Sequence, residues 1–184
     1  MNITPAKEKY SKIVVEEMRK KFGYKGPMAV PRIGKVVVNV GIGKFAKEGE
    51  KVEEVASSVA AITGQKPVRT KAKKAISGFK VRENMEIGVK VTMRGARMWQ
   101  FIDRLINATL PRTRDFQGIS EKAVDSKGNL NIGIREHIIF PEISPEKVRN
   151  IFGLQVTIST NANSHEEGLE LFKLLGFPMK SDKE

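Results

Sequence analysis

Four stretches of the chain alternate between aliphatic and polar residues with a period of two, which is typical of β-strands buried on one side. They are residues 35–40, 87–94, 130–135 and 154–160, and residues 67–71 could form a further short strand. The aliphatic positions would face a protein core. The other side would carry hydrogen-bonding and cationic residues without a carboxylate, namely Asn39, Lys90, Thr92, Arg94, Asn131, Arg135, Gln155, Thr157 and Ser159.

Apolar residues at helical spacing predict four longer helices. The predicted helices cover residues 4–22, about 50–62, about 96–109 and a C-terminal segment that begins after Ser164. Thr4 suits the N-cap of the first helix, with Pro5 at its first helical position, and Gly23 is a stop signal. Ser164 and Glu167 have the spacing of a capping box.

The complete pattern predicts a single α+β domain over residues 1–184, built as an antiparallel sheet with helices on one face and an open polar face. A short helix is also predicted near residues 147–151, and residues 72–83 and 112–128 are predicted to be loops. A polar sheet face is commonly just solvated. Here the mixture of cationic and hydrogen-bonding side chains favours an RNA-binding face.

The charge of the chain also indicates a polyanionic partner. The net charge is +12, and residues 66–122 carry 14 basic against 5 acidic side chains. A charge concentrated in one part of a chain indicates a binding surface more than general solubility. The chain has no cysteine, and neither its first ten residues nor any later stretch is apolar enough for a signal peptide or a membrane span. We therefore expect a cytoplasmic protein without a membrane partner.

Residues 66–82 hold seven basic side chains and no acidic one. Such a run repels itself unless a counter-ion such as an RNA backbone is present. Ile76 and Phe79 lie inside the run, and two interpretations remain open: they contact bases or sugars, or they pin the segment to the core. Gly78 would allow a sharp bend or the close approach of a partner backbone.

The alternative of an enzyme has little support. Residues 41–46 read G-x-G-x-x-A after a strand and before a helix, as in dinucleotide-binding proteins, but no acidic residue follows about 20 positions later. A turn that requires glycine explains the motif more simply. His137 and His165 lack metal-ligand spacing, and Asp103, Asp115, Glu121 and Asp125 have no spacing that requires a carboxylate site. We expect no catalytic residue, metal or cofactor.

Five blocks of the sequence resemble the universal large-subunit ribosomal protein five family in its bacterial form. The resemblance covers nearly the full length, and TGQKP followed by TKAKKAISGFK is highly specific. The blocks are VPRIGKVVVNVGIG (30–43), AAITGQKPVRTKAKKAISGFKVRE (60–83), IGVKVTMRGARMWQFIDRLI (87–106), LPRTRDFQGIS (110–120) and IREHIIFPEI (134–143).

The resemblance implies a structural protein that binds 5S rRNA through the open sheet face and helps to attach it to 23S rRNA in the central protuberance. By the same resemblance, Asn39, Gln65, Lys66 and Thr92 would contact 5S rRNA. To these we add the basic residues Arg69, Lys90 and Arg94 as candidate rRNA contacts.

The resemblance also implies that the predicted loop 72–83, the basic loop, approaches the tRNA in the P site. The residues of this candidate tRNA-facing loop are Lys73, Lys74, Ser77, Gly78, Phe79 and Lys80. Small-subunit protein thirteen is implied as a further partner, across the subunit interface.

Overall fold

Five strands form one antiparallel sheet in the computed structural model, which describes residues 4–45 and 48–180. In chain order the described strands are β1 (Ile33–Gly41), β2 (Val68–Lys71), β3 (Glu86–Met93), β4 (Ile119–Ser120), β5 (Leu130–Ile134), β6 (Leu154–Thr160) and β7 (Met179–Lys180). The order across the sheet is β2-β3-β1-β6-β5. The prediction of an α+β fold with an antiparallel sheet is therefore confirmed.

The described residues also form four helices and several short 3-10 turns. Helix α1 comprises three consecutive segments, Ala6–Lys9, a π-helical stretch Tyr10–Val14, and Val15–Phe22. Helix α2 is Gly49–Thr63, and α4 is His165–Leu175. Helix α3, Gly95–Arg104, continues into the π-helical Leu105–Thr109 and a 3-10 turn, Leu110–Arg112. The four longer helices thus lie within a few residues of their predicted positions.

The start of α1 differs from its prediction. Pro5, not Thr4, is the N-cap residue, and its side chain cannot cap the helix. Asp103 of α3 takes over this role, because its Oδ1 accepts a hydrogen bond from the Ala6 backbone N–H at 2.7 Å. The predicted stop at Gly23 is confirmed, since this residue has φ 70° and follows the last helical residue.

Two short elements depart from the predictions. The segment 112–128 was expected to be a loop, yet Ile119–Ser120 pairs in parallel with Met179–Lys180, a partner too distant in sequence to be inferred from local pattern. The helix expected near residues 147–151 is wrong: only the 3-10 turn Pro145–Lys147 forms. The reason is Glu54 of α2, whose carboxylate accepts the backbone N–H groups of Arg149 and Asn150 at 2.9 and 3.3 Å.

The chain divides into two compact units. Unit 1 comprises Met1–Val36, Met93–Ile132 and Thr157–Glu184, and unit 2 comprises Val37–Thr92 and Gly133–Val156. Unit 1 contains α1, α3 and α4, whose fully buried side chains include Met18, Phe101 and Phe172. The Lys21 ammonium and the Glu170 carboxylate join α1 to α4 at 2.7 Å.

Unit 2 contains α2, β2, β3 and most of β1. Val38 and Val40 of β1, together with Val89 and Val91 of β3, are buried, as the alternation predicts. Helix α2 covers this aliphatic side. Arg69, the cross-strand partner of Val89, reaches Glu53 of α2 from the same side of the sheet.

Candidate nucleic-acid interface

The side of unit 2 opposite its aliphatic core carries Asn39, Thr70, Lys90 and Thr92, which we call the polar face. Gly88 shows that these strands share one side: a Cβ built on it would lie 2.5 Å from Thr70 Oγ1 and 3.9 Å from Asn39 Oδ1. Lys90 and Thr92 follow Gly88 at intervals of two residues, so they point to the same side. Asn39 and Lys90 are exposed, while Thr70 and Thr92 are half-buried.

Gln65 and Lys66 lie at the end of the turn that follows α2. Gly64 ends this helix with φ 65°, and the chain then turns towards β2. The Gln65 Nε2 donates a hydrogen bond to the backbone oxygen of Thr92 at 3.3 Å, which places Gln65 beside the polar face. Lys66 is exposed. The structure thus brings Gln65 to Thr92, another predicted rRNA contact, and both lie in the same unit as Asn39.

The polar face has hydrogen-bonding capacity that the protein does not use. Among residues 4–45 and 48–180, the side chains of Asn39, Lys66, Lys90 and Thr92 have no hydrogen-bond or ion-pair partner. Polar side chains of a nucleic-acid-binding surface commonly form their hydrogen bonds with the ligand and not within the protein. This part of the sheet therefore offers unpaired amide, hydroxyl and ammonium groups that suit a polar, anionic molecule.

Unit 1 contains predicted polar-face residues that behave differently. The Thr157 hydroxyl donates to Asn131 Oδ1 at 2.8 Å, and the Ser159 hydroxyl lies 3.3 Å from Asn129 Oδ1. These side chains satisfy one another, so their position on strands β5 and β6 is explained without a ligand. Arg135 and Gln155 of unit 2, also predicted on the polar side, are exposed and, like Asn39, Lys90 and Thr92, have no side-chain partner among the described residues.

Arg69 and Arg94 do not join the polar face. Arg69 lies between two carboxylates: its Nη2 pairs with Glu53, and its Nη1 lies 3.2 Å from Glu86. Arg94 is the exposed N-cap residue of α3, and it belongs to unit 1. Both were predicted as rRNA contacts because they are basic. Their surroundings in the fold differ from those of Lys66 and Lys90.

Two residues of the polar side were missed in the sequence. Val68 pairs with Lys90 and Thr70 pairs with Gly88 across the β2–β3 ladder, so all four lie on one side. Val68 is 64% exposed although it is aliphatic. The short segment 67–71 gave no clear alternation, and only the cross-strand register reveals which of its residues share a face with Lys90.

Residues 72–83, which we call the basic hairpin, extend the β2–β3 pair and were predicted to be a loop. Ile76 and Val81 exchange backbone hydrogen bonds at 2.9 and 3.1 Å, and Ser77–Phe79 forms a 3-10 turn at the tip. The sharp bend is at Lys80, with φ 54°, and Gly78 has no positive φ. The expectation that Gly78 supplies the bend is therefore wrong, while the space beside it remains open.

The apolar residues of the basic hairpin point away from the core. Ile76 is 50% exposed and Phe79 is 79% exposed. The interpretation that they pin this segment to the core is therefore wrong. Lys73, Lys74 and Lys80 are exposed beside them, and none of the three has an ion-pair partner among the described residues. An apolar, cationic tip of this kind suits a nucleic acid.

The dinucleotide-binding alternative does not fit this fold. The motif needs a parallel β-α-β unit, whereas β1 lies between β3 and β6 in an antiparallel sheet. The last position of the motif, Ala46, lies outside the described residues. Gly41 and Gly43 have no positive φ and open space beside them, so a turn that requires glycine does not explain them either.

Both histidines and three of the four carboxylates considered as site residues, Asp103, Glu121 and Asp125, have structural partners. His137 is buried and stacks on Phe152 with ring centroids 3.9 Å apart. The His165 Nδ1 lies 3.2 Å from the Val124 carbonyl oxygen. Asp125 accepts hydrogen bonds from the backbone and side chain of Asn129, which hold the pKa of its carboxyl low against the opposing effect of burial.

Neither a metal site nor a membrane span is found in the part of the chain that the structure describes. No three His, Cys, Asp or Glu side chains in residues 4–45 and 48–180 come together as a metal site would need. No helix among the same residues is long and apolar enough to cross a bilayer.

Comparison with known proteins places the chain among ribosomal proteins. Residues 26–82 match the profile described as Ribosomal protein L5, and residues 86–179 match the ribosomal L5P family C-terminus. The large ribosomal subunit protein uL5 of Halothermothrix orenii is 52% identical over 93% of this chain and 96% of its own length. The uL5 proteins of Kosmotoga olearia and Colwellia psychrerythraea are 50% and 48% identical, over 96% and 93% of this chain and 96% and 94% of their own lengths.

Profiles and relatives agree over nearly the whole length, and the resemblance seen in the sequence blocks is confirmed. The chain therefore belongs to the ribosomal protein L5 family and is a structural, non-enzymatic protein of the large subunit of the cytoplasmic ribosome.

Proposed function

We propose that the protein binds 5S rRNA through the polar face of unit 2 and helps to attach this RNA to 23S rRNA in the central protuberance. The observation that supports the proposal is the set formed by exposed Asn39, Lys66 and Lys90 and half-buried Thr92, whose side chains have no partner among the described residues. Amide and hydroxyl groups suit base edges and sugars, and lysines suit phosphates. Gln65 lies beside this set through its bond to Thr92. Arg94, an exposed cation of unit 1, is proposed as a separate rRNA contact.

Arg69 has a different role in this proposal. Its guanidinium is paired with Glu53 and Glu86, and a phosphate would have to displace one of these carboxylates. We assign Arg69 to holding the edge strand β2 against α2 and β3. The affinity for RNA then comes from Lys66 and Lys90, which need no such exchange.

The basic hairpin is proposed to approach the tRNA in the P site. Its residues Lys73, Lys74, Ser77, Gly78, Phe79 and Lys80 are all exposed. The exposed ring of Phe79 offers a stacking surface among cations, and the open space beside Gly78 permits a close approach of the tRNA backbone. A contact with small-subunit protein thirteen across the subunit interface completes the set of proposed partners.

A competition experiment tests the proposal. The full-length protein is mixed with labelled 5S rRNA and challenged with unlabelled 5S rRNA, tRNA or duplex DNA over a series of salt concentrations. A 5S rRNA-binding protein is displaced efficiently only by 5S rRNA. Equal displacement by all three competitors, with the same dependence on salt, would show a non-specific polyanion-binding protein and refute the proposal.

A further inference from the structure

Val68 and Thr70 add an exposed aliphatic side chain and a hydroxyl to the edge of the polar face, beside its lysine and amide groups. Val68 is an aliphatic residue exposed over 64% of its surface. It occupies the edge strand β2 directly opposite Lys90, and Thr70 follows two residues later on the same side. An exposed aliphatic group beside a cation suits a ligand that carries a negative group next to a ring with C–H surface for packing.

The hydroxyl of Thr70 lies beside Gly88 and has no hydrogen-bond partner among the described residues. It fills the space that a side chain at Gly88 would take, because a Cβ there would lie only 2.5 Å from Thr70 Oγ1. This oxygen forms no hydrogen bond within the described residues, and it is not fully buried. It is therefore accessible to a ligand as both donor and acceptor.

We propose that Val68 and Thr70 recognise a ribose of the bound RNA, an inference that rests on the RNA binding proposed above. Lys90 binds a phosphate, the Val68 isopropyl group packs against the ribose joined to it, and the Thr70 hydroxyl bonds the 2′-hydroxyl of that sugar. The arrangement suits RNA because each phosphate of a nucleic acid adjoins a sugar, and only RNA offers the 2′-hydroxyl.

The positions on the strands make this assignment geometrically consistent. Residues directly opposite in an antiparallel ladder have Cβ atoms about 5 Å apart. Val68 and Lys90 are such a pair, and the next pair is Thr70 and Gly88. Because Gly88 has no side chain, the Thr70 hydroxyl lies over β3 at this point, and a sugar on the polar face would meet this hydroxyl instead of a β3 side chain.

The test uses 5S rRNA transcripts in which 2′-deoxynucleotides replace ribonucleotides at random and at low level. Transcripts that still bind the protein are separated from those that do not, and the substituted positions are mapped in both pools. The wild-type protein should show at least one position where the 2′-deoxy substitution weakens binding. This position should become insensitive with Thr70→Val and stay sensitive with Thr70→Ser, which keeps the hydroxyl.

Affinity for unmodified 5S rRNA tests the packing of Val68. The change Val68→Thr keeps the branched shape and the strand preference but adds a hydroxyl, and it should weaken binding by about fivefold through lost apolar contact. Thr70→Val should weaken binding by about three- to tenfold. The matched control is Ile13→Thr, because Ile13 is exposed over 46% of its surface on α1, in unit 1.

The outcomes separate this inference from the function on which it rests. If the wild-type protein shows no preference for 5S rRNA, the proposed function fails and the inference fails with it. If 5S rRNA is preferred, but folded Val68→Thr binds it as tightly as Ile13→Thr does, the inference alone is refuted. A 2′-deoxy pattern that is identical for wild type and Thr70→Val refutes it in the same way.

Discussion

The hydroxyl of Thr70 occupies the place of the side chain that Gly88 lacks, with Oγ1 2.5 Å from the position of a Cβ at residue 88. These two residues are direct partners on β2 and β3. The conformation of Gly88 does not itself demand glycine, because its φ is not positive. The glycine is required instead by the side chain across the ladder.

Gly88→Ala should therefore lower stability through crowding rather than through backbone strain. The added methyl forces Thr70 to rotate or β2 to shift, and we expect the free energy of unfolding to fall by about 1–3 kcal/mol. Chemical denaturation measures this change. Thr70→Ala in the same chain should recover most of the loss, which a double-mutant cycle shows as a coupling between the two positions.

A second glycine provides the control for this prediction. Gly133 lies in β5, has no positive φ, and would carry a Cβ into open space. Gly133→Ala should be neutral or slightly stabilising. If Gly88→Ala is equally neutral, the Thr70 hydroxyl does not need the space that the structure gives it.

The two parts of the predicted polar side should respond differently to side-chain removal. Asn39→Ala and Thr92→Ala should each weaken 5S rRNA binding by about 1–3 kcal/mol while stability stays within error, because these side chains have no partner in the described protein. Thr157→Val should instead lower stability by about 1 kcal/mol and leave RNA affinity unchanged, because its hydroxyl is bonded to Asn131. Titration calorimetry and denaturation measure both quantities for each variant.

The assignment fails if the pattern is reversed. Unchanged affinity in both Asn39→Ala and Thr92→Ala would show that this face does not bind RNA. A large loss of affinity in folded Thr157→Val would place the binding surface on β6 instead.

Alternation along single strands carried much of the fold prediction. Val36, Val38 and Val40 are buried while Lys35 and Asn39 are exposed, as a period of two requires. A strand with one buried side determines its own faces, so the aliphatic core and the polar side could both be inferred. The positions of α1 to α4 followed in the same way from helical spacing and glycine stop signals.

Features that depend on distant partners could not be inferred. The Glu54 carboxylate that replaces the expected helix near 147–151 lies 95 residues before Arg149. Arg69 was grouped with the RNA contacts by its charge, and only the β2–β3 register turns it towards Glu53. Phe79 is exposed because the basic hairpin extends away from the core. The sequence of the hairpin does not reveal this direction.

Lys66→Gln and Arg69→Gln should separate a phosphate contact from an internal ion pair. Lys66 is exposed and unpaired among the described residues, so its loss should reduce the slope of log affinity against log salt by about one charge. Arg69 is paired with Glu53 and Glu86, so its loss should lower stability by up to about 1 kcal/mol and change the slope little. Filter binding over a salt series measures the slopes. Equal reductions in both variants would mean that Arg69 also contacts phosphate.

His137 should make the protein less stable in weakly acidic solution. Burial lowers the pKa of this imidazole below its ordinary value of 6.5. Below about pH 6.5 the imidazole is protonated in the unfolded chain but stays neutral in the folded chain. The free energy of unfolding therefore falls as the pH drops towards the folded-state pKa and then levels off. His137→Phe keeps a ring against Phe152 and should remove this part of the pH dependence.

Urea denaturation between pH 7.5 and 5.5 measures the effect of His137. His165→Gln removes the other of the two histidines in the chain and is the matched control. If His137→Phe keeps the full slope, the acid sensitivity does not come from the buried histidine.

Replacing Lys73 and Lys74 by alanine should impair translation more than it impairs 5S rRNA binding. Both lysines lie in the basic hairpin, beyond the last regular β2 residue, and neither has an ion-pair partner among the described residues. Loss of two phosphate contacts with tRNA should weaken P-site tRNA binding to 70S ribosomes that carry the variant, most strongly at low salt, because the lost contacts also reduce the dependence of affinity on salt. The purified variant should still bind 5S rRNA within about threefold of wild type, because Asn39, Lys90 and Thr92 are intact.

The double variant Lys7→Ala with Lys12→Ala, at exposed positions of α1, removes the same charge from another surface and is the control. Equal losses in tRNA and 5S rRNA binding would show that the hairpin and the polar face serve one RNA, and the separate tRNA contact would have to be abandoned.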